Sequence, residues 1–279
     1  MSAPHQKKTP AFYEFCALAG TPGTHIDPVE GALLVAQLEY PDLDRAVYRR
    51  QLETMRGEAA EFRRGDTLDR ITGLNQLFFE RWGFRGNRED YYDPRNSCLN
   101  DVLDRRLGIP ITLSLVYIEI ARGAALPLVG IGMPGHFLVG MADRSDLYLD
   151  AFNGGTLLTR ADCAARLREL NPELAFRPEF LDPTGPRQIL TRMLNNLLGI
   201  YAGASLYAKA LGALEMIQCL EPDAPEWLRQ RGLVQAQLKN YSQAIADLDR
   251  YLALVPDAPD RESLNRQLSL LHQLRSMVN

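Results

Sequence analysis

An α+β domain followed by an all-α domain is the fold class that this 279-residue sequence predicts, on three observations. Residues 111–122, ITLSLVYIEIAR, are apolar on nearly all sides, the pattern of a helix buried at the centre of a domain. After it come LPLVGIG, HFLVGM, LYLDAF and TLLTR, short runs of strand-forming residues broken by ADRSD and NGG, which read as an antiparallel meander. Toward the C-terminus the chain is helical in pattern and repeats itself. Tyr207, Ala210, Leu214, Leu220 and Pro222 recur as Tyr241, Ala244, Leu248, Leu254 and Pro256, each 34 residues on.

Composition narrows the function classes. A hydrophobic content of 46% with 24% charged residues is ordinary for a globular protein, and the length suffices for two domains. The net charge of -4, with doubled arginines (Arg49-Arg50, Arg63-Arg64, Arg105-Arg106) interleaved with acids, argues against a nucleic-acid binder. MSAPHQKKTP lacks the apolar core of a signal peptide, and Glu119 interrupts the best apolar run below membrane-spanning length. A bacterial-type cytoplasmic protein with reduced thiols is expected, because Cys16, Cys98, Cys163 and Cys219 are scattered without CxxC spacing. His5, His25, His136 and His272 are equally dispersed, so no metal or other cofactor is expected.

The elements follow in order. Residues 1–28, Pro- and Gly-rich around GTPGTHIDP, read as an irregular leader. From residue 29 helical spacing begins (Ala32, Leu33, Ala36, Tyr40) and ends at Pro41. Two further helices are expected over 42–62 and 66–82, then a loop over 83–97. Asn96 or Ser97 is the expected cap of a short helix through Arg106. Pro110 suits the first turn of the next helix, where its missing N–H costs nothing. If the first strand turn centres on Asp143, His136 and Asp150 face each other across two strands, close enough for an imidazole–carboxylate bond. A helix over 161–170 and a proline-rich linker within 171–188 close the first domain at about residue 183. Residues 184–279 then form tetratricopeptide-type helices, two repeats and a terminal helix, whose small residues let paired helices approach.

Two motifs in the strand region bear on chemistry. GIGMPG, residues 130–135, matches the dinucleotide fingerprint G-x-G-x-x-G, but HFLVGMAD follows where that fingerprint must open a helix, so a glycine turn between strands is the better reading. His136 and Asp150 form the more serious pair. Asp150 orients a catalytic imidazole in one reading, and in the other a half-buried histidine and its carboxylate hold two strands together. Cys98, at an expected helix N-terminus, is the candidate thiol.

The stretch RGNREDYYDPRNSCLNDVLDRRLGIPITLSLVYIEIAR, with PLVGIGMPGHFLVG and LDAFNGG, resembles the SirB-type branch of the transglutaminase-like superfamily, which continues into tetratricopeptide repeats. The resemblance implies a transglutaminase/papain-like core over residues 29–183, with His136 and Asp150 at the superfamily's His and Asp positions. In catalytic members a Cys begins the central helix, and counting back from Arg122 puts that place at about Pro110, without thiol or hydroxyl. The expected function is therefore a non-catalytic, regulatory interaction module, a pseudoenzyme candidate. It holds a protein or peptide partner through the repeats and a cleft lined by Asn100, Asp101, His136 and Asp150. The alternative is a thiol-dependent hydrolase or acyltransferase using Cys98, His136 and Asp150.

Overall fold

The structure is a computed structural model that describes residues 8–22, 25–143 and 146–278. The chain forms two compact units: a central unit, residues 22–193, and a repeat unit that joins the N-terminal segment to residues 194–279. The expected leader is not wholly irregular, because it contains helix α1 (Pro10–Ala19). The Thr9 hydroxyl caps α1, accepting from Phe12 N at 3.3 Å, and Pro10 takes the first turn. The helix is short and its Pro/Gly flanks dominate the local composition, which is why the pattern concealed it. Residues 1–7 and 23–24 of that leader lie outside the described residues. Cys16 and Cys219, expected as reduced thiols, are disulfide-bonded. Partners 203 residues apart in sequence leave no local spacing to read.

In the central unit, helix α2 (Pro28–Ala36) is capped by Asp27, whose carboxylate accepts from Val29 N and Glu30 N. Helix α3 (Arg45–Ala59) follows, then α4 (Thr67–Asn75), which opens on a reciprocal Asp66/Asp69 capping box and continues as a π-helical segment, Gln76–Arg81. That segment delivers Phe78 to the core. Its ring stacks on Phe84 with centroids 4.2 Å apart and meets Tyr117 edge-on at 5.2 Å. Helix α5 (Leu99–Arg105) begins at Cys98, rather than at Asn96 or Ser97 as expected. Asn96 ends a 3₁₀ turn, and its amide is already spent on the carbonyls of Asp90 and Tyr91. Helix α6 (Pro110–Ala121) is the buried helix foreseen from its composition, every residue from Pro110 to Tyr117 being buried.

Two short strands, β1 (Arg85–Gly86) and β2 (Leu107–Gly108), pair in parallel. The meander is β3 (Leu128–Ile131), β4 (Leu138–Met141), β5 (Tyr148–Asp150) and β6 (Thr156–Leu158), antiparallel and in chain order, with α6 packed against β3 and β4. Its register differs from expectation. Val139 pairs with Leu149 and Gly140 with Tyr148, which centres the turn one residue later than Asp143, and the tip at 144–145 lies outside the described residues. Moving the centre by one residue moves partners by two, so the same side chains keep the same faces. Asp150 is thus diagonal to His136 rather than opposite it, a separation that long side chains still span.

Helix α7 (Arg160–Leu170) follows the sheet. The expected linker belongs to the central unit instead: it forms a 3₁₀ turn, Pro178–Leu181, and Pro183 bridges to Ile131 of β3. The unit boundary falls inside the next helix, α8 (Pro186–Gly203), ten residues beyond the expected one. Helices α9 (Tyr207–Leu220), α10 (Pro225–Gln237), α11 (Tyr241–Leu254) and α12 (Arg261–Val278) follow. The 34-residue period puts Ala210 with Ala244 and Leu214 with Leu248 at equivalent buried places. Gly232 has a packing reason: a Cβ there would lie 2.7 Å from Leu248 Cγ, so its absence lets α10 and α11 approach.

Candidate functional site

The site is built on the turn between β3 and β4. His136 N donates to Met133 O at 3.1 Å, Pro134 stands second and Gly135 third with φ +76°, the arrangement of a type II turn. Gly135 supplies the left-handed conformation that a side chain resists, and the turn sets His136 at the edge of the sheet. The expectation that GIGMPG is a turn between strands holds, for β4 and not a helix follows it.

The turn is fixed from a distant part of the chain. Arg192 of α8 donates to Met133 O at 3.2 Å and His136 O at 2.9 Å, and its guanidinium lies over the Phe137 ring. Gly132 makes room for it, since a Cβ there would meet Arg192 Nη1 at 2.6 Å. Burial pushes the Arg192 guanidinium below its ordinary pKa.

Asp150, fully buried, ends β5 and receives a converging set of donors. His136 Nε2 lies 2.9 Å from Oδ2, Asn153 Nδ2 donates at 2.6 Å, and Arg166 Nη1 of α7 reaches the same oxygen at 3.4 Å. The backbone N–H groups of Phe152 and Asn153 donate to Oδ1 at 3.1 Å, so Asp150 also caps the 3₁₀ turn Ala151–Asn153. Burial alone pushes this carboxyl up. The bond and charge of His136, with the Asn153 bonds, outweigh it and hold the group below the ordinary carboxylate range. The His136 ring, committed to Asp150 through Nε2, is buried. The ring meets Phe152 edge-on at 6.3 Å; Phe152 contacts Tyr91, which contacts Tyr92. Tyr92 is 76% exposed.

The other predicted residues lie elsewhere. Pro110 is the first residue of α6 and Ile109 its N-cap. The nearest hydroxyl, Thr112 Oγ1, is spent locally: it accepts from Ile109 N at 3.1 Å and donates to Asn96 O at 2.8 Å. Cys98 is fully buried at the start of α5, close enough to Tyr40 to act on its hydroxyl electrostatically. Burial raises the pKa of Asp101, against the influence of the nearby Tyr40 hydroxyl and of Arg105 and Arg95. Asn100 is buried on the same helix. Among the described residues, the side-chain hydrogen bonds and ring contacts of His136 run to Asp150 and Phe152, and none reaches Cys98, Asn100 or Asp101. The structure thus brings His136 and Asp150 together, and sets Cys98 and Asp101 near Tyr40. Cys163 is buried too, its thiol pushed up to about 12 by burial and by the charges of Asp162 and Asp150. Asn153, Arg166 and Arg192 were missed in the sequence. A polar residue three after Asp150 was a signal for the first, while the two arginines left none.

Residues 46–195 match the transglutaminase-like superfamily, and residues 197–269 match the tetratricopeptide repeat. A UPF0162 protein of Xylella fastidiosa (strain Temecula1) is 40% identical over 234 residues, covering 81% of this chain and 83% of that protein. A UPF0162 protein of Vibrio cholerae is 29% identical over 252 residues, 87% of this chain and 92% of its own. Protein SirB1 of Salmonella typhimurium is 25% identical over 237 residues, 84% and 86% of the two chains. No solved structure matches the chain.

Proposed function

The chain belongs to the transglutaminase-like superfamily, in the branch that includes SirB1 and carries tetratricopeptide repeats, and from that premise we propose that it is a non-catalytic interaction module. In this reading it is a pseudoenzyme of the cytoplasm that regulates by holding a protein or peptide partner. The observation that carries the reading is Pro110 at the first position of α6. Acyl transfer through a thiol needs a thiolate where backbone N–H groups stabilise it and the oxyanion that follows. Pro110 supplies no thiol and removes one such N–H. The retained His136–Asp150 pair then works as a rigid hydrogen-bonding unit, with Tyr91, Tyr92 and Phe152 offering aromatic surface beside it. Asn100 and Asp101 contribute from α5 as polar groups, Asn100 buried and Asp101 beside Tyr40. Among the described residues no helix is long and apolar enough to cross a membrane.

The test is selection of binding peptides from a random library on the full chain, followed by titration. Tyr92→Ala is expected to weaken the selected peptides about tenfold without changing the melting temperature, as loss of an exposed aromatic contact should. Intact mass after incubation with peptide thioesters should equal that of the protein alone. An acyl adduct that disappears in Cys98→Ser would instead establish the thiol-dependent hydrolase or acyltransferase.

A further inference from the structure

The repeat unit contains a covalent link that its function as a binding array does not require. Cys16, on the α1 face that packs against α9, and Cys219, in the last turn of α9, are disulfide-bonded with Cα atoms 5.2 Å apart, an ordinary separation for such a bridge. Both are partly exposed, whereas Cys98 and Cys163 are wholly buried. A soluble oxidant therefore meets one pair of thiols and no other. Phe15 and Ala19 are the buried residues of α1, and Lys8 forms an ion pair with Glu215, one turn before Cys219. Helix α1 has ten residues, too few to persist as a helix once it leaves α9. It stands at the start of the repeat array, where a stacked helical unit needs a cap over its first apolar face.

We infer that Cys16 and Cys219 are a reversible redox site that locks the capping helix α1 onto the first repeat helix, so that small-molecule disulfides close this face of the array and reducing thiols release it. The exchange balances. The Cys16 thiolate attacks one sulfur of a small disulfide such as oxidised glutathione, forming a mixed disulfide and expelling one thiolate. The Cys219 thiolate then attacks the Cys16 sulfur, forming the protein disulfide and expelling the second. Two electrons pass from the protein thiols to the small disulfide, and the two protons end on the two small thiols. Reduction by excess thiol runs the same steps backward.

The full chain is equilibrated with oxidised or reduced glutathione, quenched in acid, denatured and alkylated with N-ethylmaleimide. Intact mass should show two alkylations in the oxidised sample, at Cys98 and Cys163, and four in the reduced one. Cys16→Ser, at a partly exposed position, should show three in the reduced sample and, in the oxidised one, two with a single glutathione held on Cys219, which has no second thiol to displace it. Hydrogen exchange read on both wild-type samples should show amides 11–19 exchanging roughly tenfold or more faster after reduction, with those of α6 unchanged. Four alkylations after oxidation, or a cross-linked peptide joining any other pair, would overturn the site. A Cys16–Cys219 bridge whose reduction leaves residues 11–19 equally protected would overturn the lock.

Discussion

Asp150→Ala is expected to lower the unfolding free energy of the central unit by about 3–5 kcal/mol, the range for removing one partner of a buried ion pair. The carboxylate is fully buried and gathers donors from three places: His136 after the β3–β4 turn, Asn153 in its own 3₁₀ turn and Arg166 in α7. Removing it leaves those groups without their acceptor and uncaps the turn after β5. Asp150→Asn keeps the shape and some of the bonds, so its cost should be smaller, about 1–3 kcal/mol. Urea unfolding at neutral pH measures both. The pH dependence follows from the depressed carboxyl. Since the folded group titrates below the unfolded one, its stabilisation is complete above the unfolded value near 4 and is lost as pH falls through the folded value. Wild-type stability should therefore fall more steeply than that of Asp150→Asn below about pH 4. Parallel curves would show that the bonds to Asp150 do not favour its charged form.

Phe78→Ala should be comparably severe, costing about 3–5 kcal/mol, because a buried aromatic ring is lost and a cavity stays behind. The ring sits between Phe84 and Tyr117 with no exposure of its own. Tyr117 belongs to α6, and its hydroxyl donates to Asn75 Oδ1 at 2.8 Å while Asn75 Nδ2 donates to Gly155 O at 3.1 Å. The cavity therefore opens beside the groups that tie α6 to the turn after Asp150. Phe78→Leu, which refills most of the volume, should recover at least half of the loss. The same urea titration decides it: a loss below about 1 kcal/mol for Phe78→Ala would mean that this cluster is not the core of the unit.

What the sequence made legible were the features that are local and periodic. The apolar run after Pro110 could only be a buried helix, the strand-forming runs between ADRSD and NGG could only be short strands, and the 34-residue period located α9 and α11. The His136–Asp150 bond was foreseen for a partly wrong geometric reason. The register is displaced by two partners, yet parity kept both side chains on one face. The remainder depended on contacts between distant segments. Arg192 reaches the site from 56 residues away, Arg166 from 16, and Cys219 meets Cys16 across 203, and no window of sequence records such partners. Helix α1 was hidden by its own length, since ten residues between glycine- and proline-rich flanks carry too little pattern to outweigh them. Cys98 could be placed near a helix start from sequence, but not beside Tyr40, because that proximity joins the segment after α2 to the start of α5.

The central claim is that His136 has no thiol partner, and the rate of alkylation tests it most directly. Native protein, kept in the Cys16–Cys219 oxidised form, is treated with iodoacetamide at graded pH, as wild type, Cys98→Ser and His136→Ala. Cys98 and Cys163 are wholly buried, so both should react only as fast as the central unit opens, with no inflection below pH 7. His136→Ala should leave the Cys98 rate unchanged or raise it slightly through lost stability. Rapid alkylation of Cys98 below pH 7, abolished in His136→Ala, would reveal a thiolate–imidazolium pair and contradict the non-catalytic account.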